Sequence, residues 1–403
     1  MSKVEAGVQA ESGIITRVLP SMQAVDGTAW NALLARQPHA TPFMRHEYLA
    51  ALEASGSATP ETGWAARPVT LWRGATLVAA CPLYVKGHSW GEYVFDWAWA
   101  RAYEEHRLPY YPKAVVAVPF TPVPGARLLA EDAATRRLLL AAARGWCEAQ
   151  GLSSLHLLFG AEEDMAASQA EGLMPRHTVQ FHWTNDRYAD WDAFLAALSQ
   201  DKRKKIRQER RKVQEAGVTF RWARGTEITA ADWDFFYRCY ERTYLEHGNP
   251  PYLARGFFAR MAADMPEAWV LFTAERAGRP IASSLIAVSA SPSSAGGQKH
   301  PQTLVAYGRY WGALERVDCL HFEACYYQPL AWCIAHGVQR FEGGAQGEHK
   351  MARALLPVQV HSAHWLAHPA FADAVDRFLA RESAGAHEYL VALREHSPFK
   401  ESA

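Results

Sequence analysis

Two short stretches, Cys147-Glu-Ala-Gln-Gly-Leu152 and Cys333-Ile-Ala-His-Gly-Val338, decide how this 403-residue chain is organised. Each ends an apolar helical pattern on glycine, the residue that most readily adopts the left-handed backbone closing a helix. Each leads directly into a strand-like run, 155–159 in the first case and 339–342 in the second. Working outward, the pattern before the first stretch predicts a strand over 13–19, then helices over 26–34 and 46–55. A hairpin of 69–72 and 76–85 turns at Arg73-Gly74, and an aromatic strand covers 93–99. An extended, proline-punctuated segment spans 108–124, and a helix covers 132–150. Proline is confined to strand edges, ends and bulges, so that segment is expected to border a cleft. Around the second stretch the order returns. Helices are expected over 231–246 and 252–265, a hairpin of 270–276 and 279–289 turning at Ala277-Gly278, a strand over 303–310 and a helix over 321–336.

The repeated order points to an internal duplication. It predicts an α/β (α+β) chain of two tandem domains, 1–180 and 181–403, each a mixed, mostly antiparallel sheet flanked by helices. The join falls within 175–200, and one long helix over 191–216, closed by Gly217, is expected to follow it. The Ser- and Gly-rich stretch 291–302 reads as a surface excursion.

Lys and Arg number 42, as do Asp and Glu, so there is no global basic excess of the kind a general nucleic-acid binder carries. The 15 Trp, 16 Tyr and 17 Phe suit thick cores and clefts for flat or extended ligands. Six cysteines without a Cys-x-x-Cys pair signal neither a zinc knuckle nor a redox couple, and a reducing compartment fits them. The first twenty residues have no apolar signal region, and no run of eighteen apolar residues occurs. A cytoplasmic protein without membrane insertion is expected.

Three polar clusters crowd into 307–353. In Gln346-Gly-Glu-His-Lys350, glycines let the backbone turn sharply after a strand, the usual place for an α/β site. Glu348 or His349 could take a proton from an amine, and Lys350 or Arg353 could hold a carboxylate or phosphate. In Tyr307-Gly-Arg-Tyr-Trp-Gly312, strand alternation puts Tyr307 and Arg309 on one face, where Arg309 could clamp an anion. In His321-Phe-Glu-Ala-Cys-Tyr-Tyr-Gln328, helical spacing aligns His321 with Cys325 and Gln328, and Glu323 with Tyr327. Between Lys202 and Lys212, eight of eleven residues are basic and Glu209 is the sole acid. Lys202, Arg203, Lys205, Arg207 and Arg210 are therefore candidates for phosphate or RNA contact, against the default of a solvated helix face. His361 and His364 fall on opposite faces of an extended 358–365, so no metal site is expected from them and His368. Neither a dinucleotide-binding glycine motif, a Walker loop nor a nucleophile elbow is present.

The order of elements is similar to one GNAT-like (acyl-CoA N-acyltransferase) unit, repeated. Four stretches resemble the FemAB-like family of N-acyltransferases, from about Thr41 to Pro398. They are Tyr110-Tyr-Pro-Lys-Ala-Val-Val-Ala-Val-Pro-Phe-Thr-Pro122, Lys202–Arg211, Tyr307–Gly312 with His321–Gln328, and Gly344–Lys350. The resemblance implies tandem GNAT-like domains related to Fem ligases, which move an amino acid from aminoacyl-tRNA to an amine of a peptidoglycan precursor. It implies acyl-CoA or aminoacyl-tRNA as donor substrate, no tightly bound cofactor, a small-molecule or peptide amine acceptor, and tRNA as a partner. Glu348 and His349 would be catalytic. Tyr307, Arg309, His321, Glu323, Tyr327, Gln346, Lys350 and Arg353 would bind substrate. The alternative is a non-catalytic module recognising cell-wall peptide or a nucleotide-bearing ligand. The pyrophosphate loop of ordinary GNAT enzymes is missing. Two positions depart from the family pattern: Ala354 follows Arg353 where glycine is expected, and Arg101 stands where an acid is expected.

Overall fold

The computed structural model describes residues 13–291, 303–345 and 347–400. They form two compact units. The first holds the chain up to Thr178 together with Val360–His387; the second holds Val179–Ser291, the described part of His300–Gln359, and Glu388 onward. The boundary expected at 180/181 is linear, whereas the units are not: the chain returns to the first after building most of the second.

In the first unit, Ile14–Val18, Val69–Arg73, Thr76–Cys81 and Leu129–Ala130 form an antiparallel sheet in that order. A second sheet runs Trp64–Ala66, Leu83–Lys86, Lys113–Val116, Ser154–Gly160 and then the returning part of Leu356–Leu366. Only Lys113–Val116 and Ser154–Gly160 are parallel there. The helix Ala133–Ala149 starts at Asp132, whose carboxylate accepts from Thr135 N. It buries Leu139, Leu140, Ala143 and Cys147 at helical spacing against the strands.

In the second unit the order is Val218–Arg224, Trp269–Arg276, Arg279–Ser291, Thr303–Ala313, Arg340–Ala345, then the far end of Met174–Thr184. Again only the central pair, Thr303–Ala313 with Arg340–Ala345, is parallel. The two helix-closing glycines, Gly151 and Gly337, are both left-handed, each with φ +66°. The backbone closes identically around them, with Leu152 N donating to Cys147 O at 3.0 Å and Val338 N to Cys333 O at 2.9 Å. Each then enters the second strand of its unit's parallel pair, so the sheets are mixed and mostly antiparallel, as expected.

Three local readings are corrected. The aromatic strand 93–99 is a loop leading into the helix Trp97–Glu105; left-handed Gly91 and Tyr93 interrupt any extended run. The single helix 191–216 is two, Trp191–Ala197 and Gln200–Glu215, because Leu198 turns extended, buries itself and bridges to Phe399. The helix Pro369–Glu395 has no counterpart among the elements expected from sequence. Among the described residues no helix is long and apolar enough to cross a membrane.

Candidate active site

The site elements all lie in the second unit. Ile286 pairs with Gly308 and Leu285 with Tyr310, so Arg309 is an extra residue bulging from the central strand. The parallel ladder to Arg340–Ala345 ends at Tyr307 and Glu342, beyond which both strands continue without pairing to one another. Strand order and bulge together place a gap in the ladder next to Arg309, which is half-exposed. Gly308 is required here: a Cβ would sit 2.9 Å from Phe341 Cζ. Tyr307 is buried and hydrogen-bonded to Arg340, with Glu342 beside it, so its hydroxyl belongs to the interior.

Past the gap, Gly343, Gly344 and Gly347 carry the chain into a 3₁₀ turn, Glu348–Arg353. A Cβ at Gly343 would lie 2.3 Å from Leu355 Cδ2, and one at Gly347 would lie 2.4 Å from His349 Cε1. Gly347 thus leaves room for the His349 ring to fold back over the turn. Gln346 lies outside the described residues. Lys350 is buried, and its Nζ donates to Gly344 O at 2.8 Å, closing the turn. Burial pushes its ammonium down to about 8, partly offset by the Cys325 thiol. Arg353 is buried too. It donates to both Glu209 oxygens at 3.0 and 2.9 Å and to His349 O at 2.6 Å, and stacks over Phe322 at 3.5 Å. Arg353 is therefore a clamp between the Gly-rich turn and the basic helix, and its guanidinium is committed to protein partners.

The helix after the central strand contains a π turn, Glu323–Tyr327, a distortion that recurs at functional sites. It aims Glu323 and Tyr327 at the basic helix. Arg210 pairs with Glu323 at 3.0 Å, Gln328 donates to Glu323 at 2.7 Å, and the Tyr327 hydroxyl donates to Glu209. The expected face shared by Glu323 and Tyr327 exists, but it meets Arg210 and Glu209. Facing the other way, His349 Nε2 lies 3.3 Å from the Tyr326 hydroxyl, and His321 packs on Trp311 and Tyr326. Neighbouring rings desolvate His321, and His349, Arg353 and Lys350 repel its proton, holding it below the ordinary imidazole value although part of its ring meets solvent. His349 is lowered by desolvation and by Arg353 and Lys350. Both shifts favour the neutral imidazole, the form that can accept a proton. Glu348 is exposed and accepts from Tyr389 at 2.6 Å.

The basic helix divides its cations. Arg210 turns inward; Lys205, Arg207 and Arg211 are exposed, and Lys202 and Arg203 are half-exposed. One cleft of about 570 Å³ is lined by Trp191, Arg207, Arg210, Arg211, Phe220 and Gln328, among others. A second, of about 590 Å³, is lined by Gln200, Arg203, Lys204, Arg207, Gln208 and Arg211. Arg207 and Arg211 border both. Sequence reasoning missed Glu209, Phe322, Tyr326 and Tyr389. Only Glu209 left a signal, as the lone acid in a basic run.

The bulged central strand, the split parallel pair and the Gly-rich turn bearing His349 lie in the second of two units, each built on a mixed, mostly antiparallel sheet flanked by helices. The chain belongs to the FemAB-like family, described as peptidoglycan biosynthesis/recognition, which it matches over residues 21–401. No curated protein sequence matches it. Among solved structures, FemX is similar with TM-score 0.52 at 10% identity, over 87% of this chain and 98% of that one. L-PGS from Bacillus licheniformis gives 0.50 at 11%, over 88% and 97%. A tandem GNAT protein from the clavulanic acid biosynthesis pathway gives 0.45 at 14%, over 88% and 99%. The α/β fold expected from the sequence, mixed and mostly antiparallel sheets flanked by helices, is the fold of this chain and is shared with FemX.

Proposed function

We propose that the chain transfers an acyl or aminoacyl group from an activated donor to an amine, with the reacting centre beside the bulge at Arg309 in the second unit. The observation that carries this reading is the place of His349, on the Gly-rich turn next to the gap in the central ladder. The amine nitrogen attacks the acyl carbonyl carbon, and the carbon–oxygen bond of an ester or carbon–sulfur bond of a thioester breaks. His349 accepts the proton the amine loses and returns it to the departing alkoxide or thiolate. Glu348, tied to Tyr389, is the second candidate base. Arg353, Glu209 and Tyr327 position the turn, and Arg309 offers charge to an anionic substrate group. The exposed cations of the basic helix suit the phosphates of the donor, which both acyl-CoA and aminoacyl-tRNA carry.

The test is a thermal-shift and binding screen of the whole protein against acetyl-CoA, longer acyl-CoAs, aminoacyl-tRNA and muropeptides. A donor that binds the folded state raises the melting temperature. Stabilisation by an acyl-CoA selects a CoA-dependent acyltransferase. Stabilisation by aminoacyl-tRNA, lost on neutralising the basic helix, selects a Fem-type ligase. Silence toward every donor, with binding of a muropeptide, overturns the transferase reading in favour of a binding module. With a productive donor, His349→Ala should lower turnover about 100-fold or more.

A further inference from the structure

The larger-walled of the two clefts beside the basic helix exists because of a break that the local sequence does not dictate. A helical period runs through 191–216. Yet Ser199 N donates to Pro398 O at 3.0 Å and Lys400 N to Ala197 O at 3.1 Å, on either side of the bridge from Leu198 to Phe399. These ties end Trp191–Ala197 and start Gln200–Glu215 afresh. Four elements of the second unit then line one cleft of about 570 Å³. The short helix contributes Trp191 and Asp192, and the basic helix Arg207, Arg210 and Arg211. The edge strand Val218–Arg224 contributes Phe220, and the π turn with the helix it opens contributes Glu323 and Gln328. That volume falls within the roughly 300–1,000 Å³ of small-molecule sites.

The charges of the lining are unevenly spent. Glu323 is buried; Arg210 neutralises it at 3.0 Å, and the Gln328 amide donates to it at 2.7 Å. The Arg210 guanidinium also lies over the Trp191 ring, 4.8 Å from its centroid, so the two form one layered wall. Phe220 is half-exposed on the strand. Arg207 and Arg211 are exposed. Glu215 pairs with Arg211 at 3.6 Å, but those side chains are 69% and 68% exposed, so solvent screens the pair. Both arginines continue into the second cleft, whose other charged lining residues, Arg203 and Lys204, are cations.

We propose that the first cleft holds the nucleoside of a phosphate-bearing donor, its base against Phe220 and the Trp191–Arg210 wall and its phosphates on Arg207 and Arg211. Aromatic faces and guanidinium planes are the surfaces on which a base stacks, and the arginine fork matches phosphate oxygens. A plain polyanion would use the arginines and leave the rings idle. Asp192, the other acid of the lining, repels phosphate but accepts from ribose hydroxyls, which sets the sugar apart from the phosphate end. Gln328 spends its amide nitrogen on Glu323, leaving its carbonyl oxygen to accept from a base amino group. That this ligand is the donor rests on the transfer reading; that a nucleoside phosphate binds does not.

The test is calorimetric titration of the full-length protein with ADP and with inorganic pyrophosphate, which lacks base and sugar. ADP is expected to bind about tenfold more tightly or better. Trp191→Ala and Phe220→Ala should each shrink that difference, whereas Arg207→Glu/Arg211→Glu should weaken both ligands. The arginine variant changes exposed side chains only, so it decides the matter even if Trp191→Ala fails to fold. Coenzyme A and a short single-stranded RNA ending in adenosine then compete against ADP. Displacement by the first assigns the nucleoside to an acyl-CoA, displacement by the second to an RNA-borne donor. ADP binding that is absent or no tighter than that of pyrophosphate overturns the proposal. So does ADP binding that the folded variants retain in full, or that neither competitor displaces. ADP binding in a protein that turns over no donor would sink the transfer reading and leave the nucleoside site standing. Turnover indifferent to Trp191→Ala and Phe220→Ala would do the reverse.

Discussion

At the scale of single residues, Ala354 shows how a departure from a family pattern becomes strain. It caps the 3₁₀ turn with φ +63°, in the left-handed region where glycine was expected. A side chain there costs roughly 1–2 kcal/mol, and the flexibility glycine adds to the unfolded chain returns part of that. Ala354→Gly should therefore stabilise the protein by up to about 1 kcal/mol, read from urea unfolding. Glu209 is the converse case. It neutralises Arg353, a nearly inaccessible guanidinium, and Glu209→Ala should cost about 3–5 kcal/mol because the charge is left buried and alone. A loss under 1 kcal/mol would show that Arg353 finds another partner. His349 sets a pH expectation. Its proton affinity is lowered, so as a base it is competent once pH exceeds a value below 6.5. The acidic limb of the rate profile should fall below that value and disappear in His349→Ala. The polar density of 346–350 was legible in sequence, but the division of labour was not. That Lys350 and Arg353 spend their charges on Gly344 O and Glu209, rather than on a ligand, follows from burial, which residue type does not reveal.

At the scale of elements, the basic helix Gln200–Glu215 combines a packing face and a solvent face in one run. Replacing Arg203, Arg207 and Arg211 by glutamine should leave the melting temperature nearly unchanged, since none carries a buried pair. It should also weaken tRNA or acyl-CoA binding. On a duplex, the slope of log affinity against log salt should shrink by up to about 0.9 for each phosphate no longer neutralised. An unchanged slope would remove this helix from the donor site. The helix was legible from its period and charge. Its separation from Trp191–Ala197 was not, because the cause, the bridge from Leu198 to Phe399, comes from 201 residues away. The loop before Trp97–Glu105 misled for a related reason. Its aromatics suit strands by propensity, but left-handed backbone and inward-turned acids decide its path. The π turn at Glu323–Tyr327 leaves no periodic trace, and its partners Arg210 and Glu209 lie more than 100 residues away in sequence.

At the scale of the whole molecule, buried titratable groups make acid stability a sum of opposed windows. His156 and His182 are pushed down to about 3 by burial, and His364 is lowered strongly by burial and by His156. Each is neutral when folded, so its contribution is present above the ordinary 6.5 and is lost as pH falls toward the folded value. Asp96 behaves in the same direction. Burial would raise it, but Lys113 draws it to about 2, so its contribution is lost between 3.8 and 2. Glu92 and Asp164 oppose them: burial raises these to about 7 and about 6, so they favour the folded state as pH falls toward 4.5 and 3.8. Below 3.8 those two are protonated in either state and the opposition ends. Melting temperature should fall gently from pH 6.5 and steeply below 3.8; a flat profile down to pH 3 would mean the buried histidines titrate freely. The duplication, the sheet composition and most elements were legible because helical and strand periods are local properties. The make-up of the compact units was not, because it depends on where the chain goes from Val360 onward.

The return of Val360–His387 to the first unit has a consequence for biosynthesis. The strand that covers Ser154–Gly160 is Leu356–Leu366, encoded some 200 residues later. A ribosome that has released only the first 180 residues has therefore released a unit with an open edge and a missing helix. The first unit cannot be completed in the order it is made; it must wait, with hydrophobic strand surface uncovered, while most of the second unit is synthesised. The part of the chain that emerges first is finished only once residue 387 has been made.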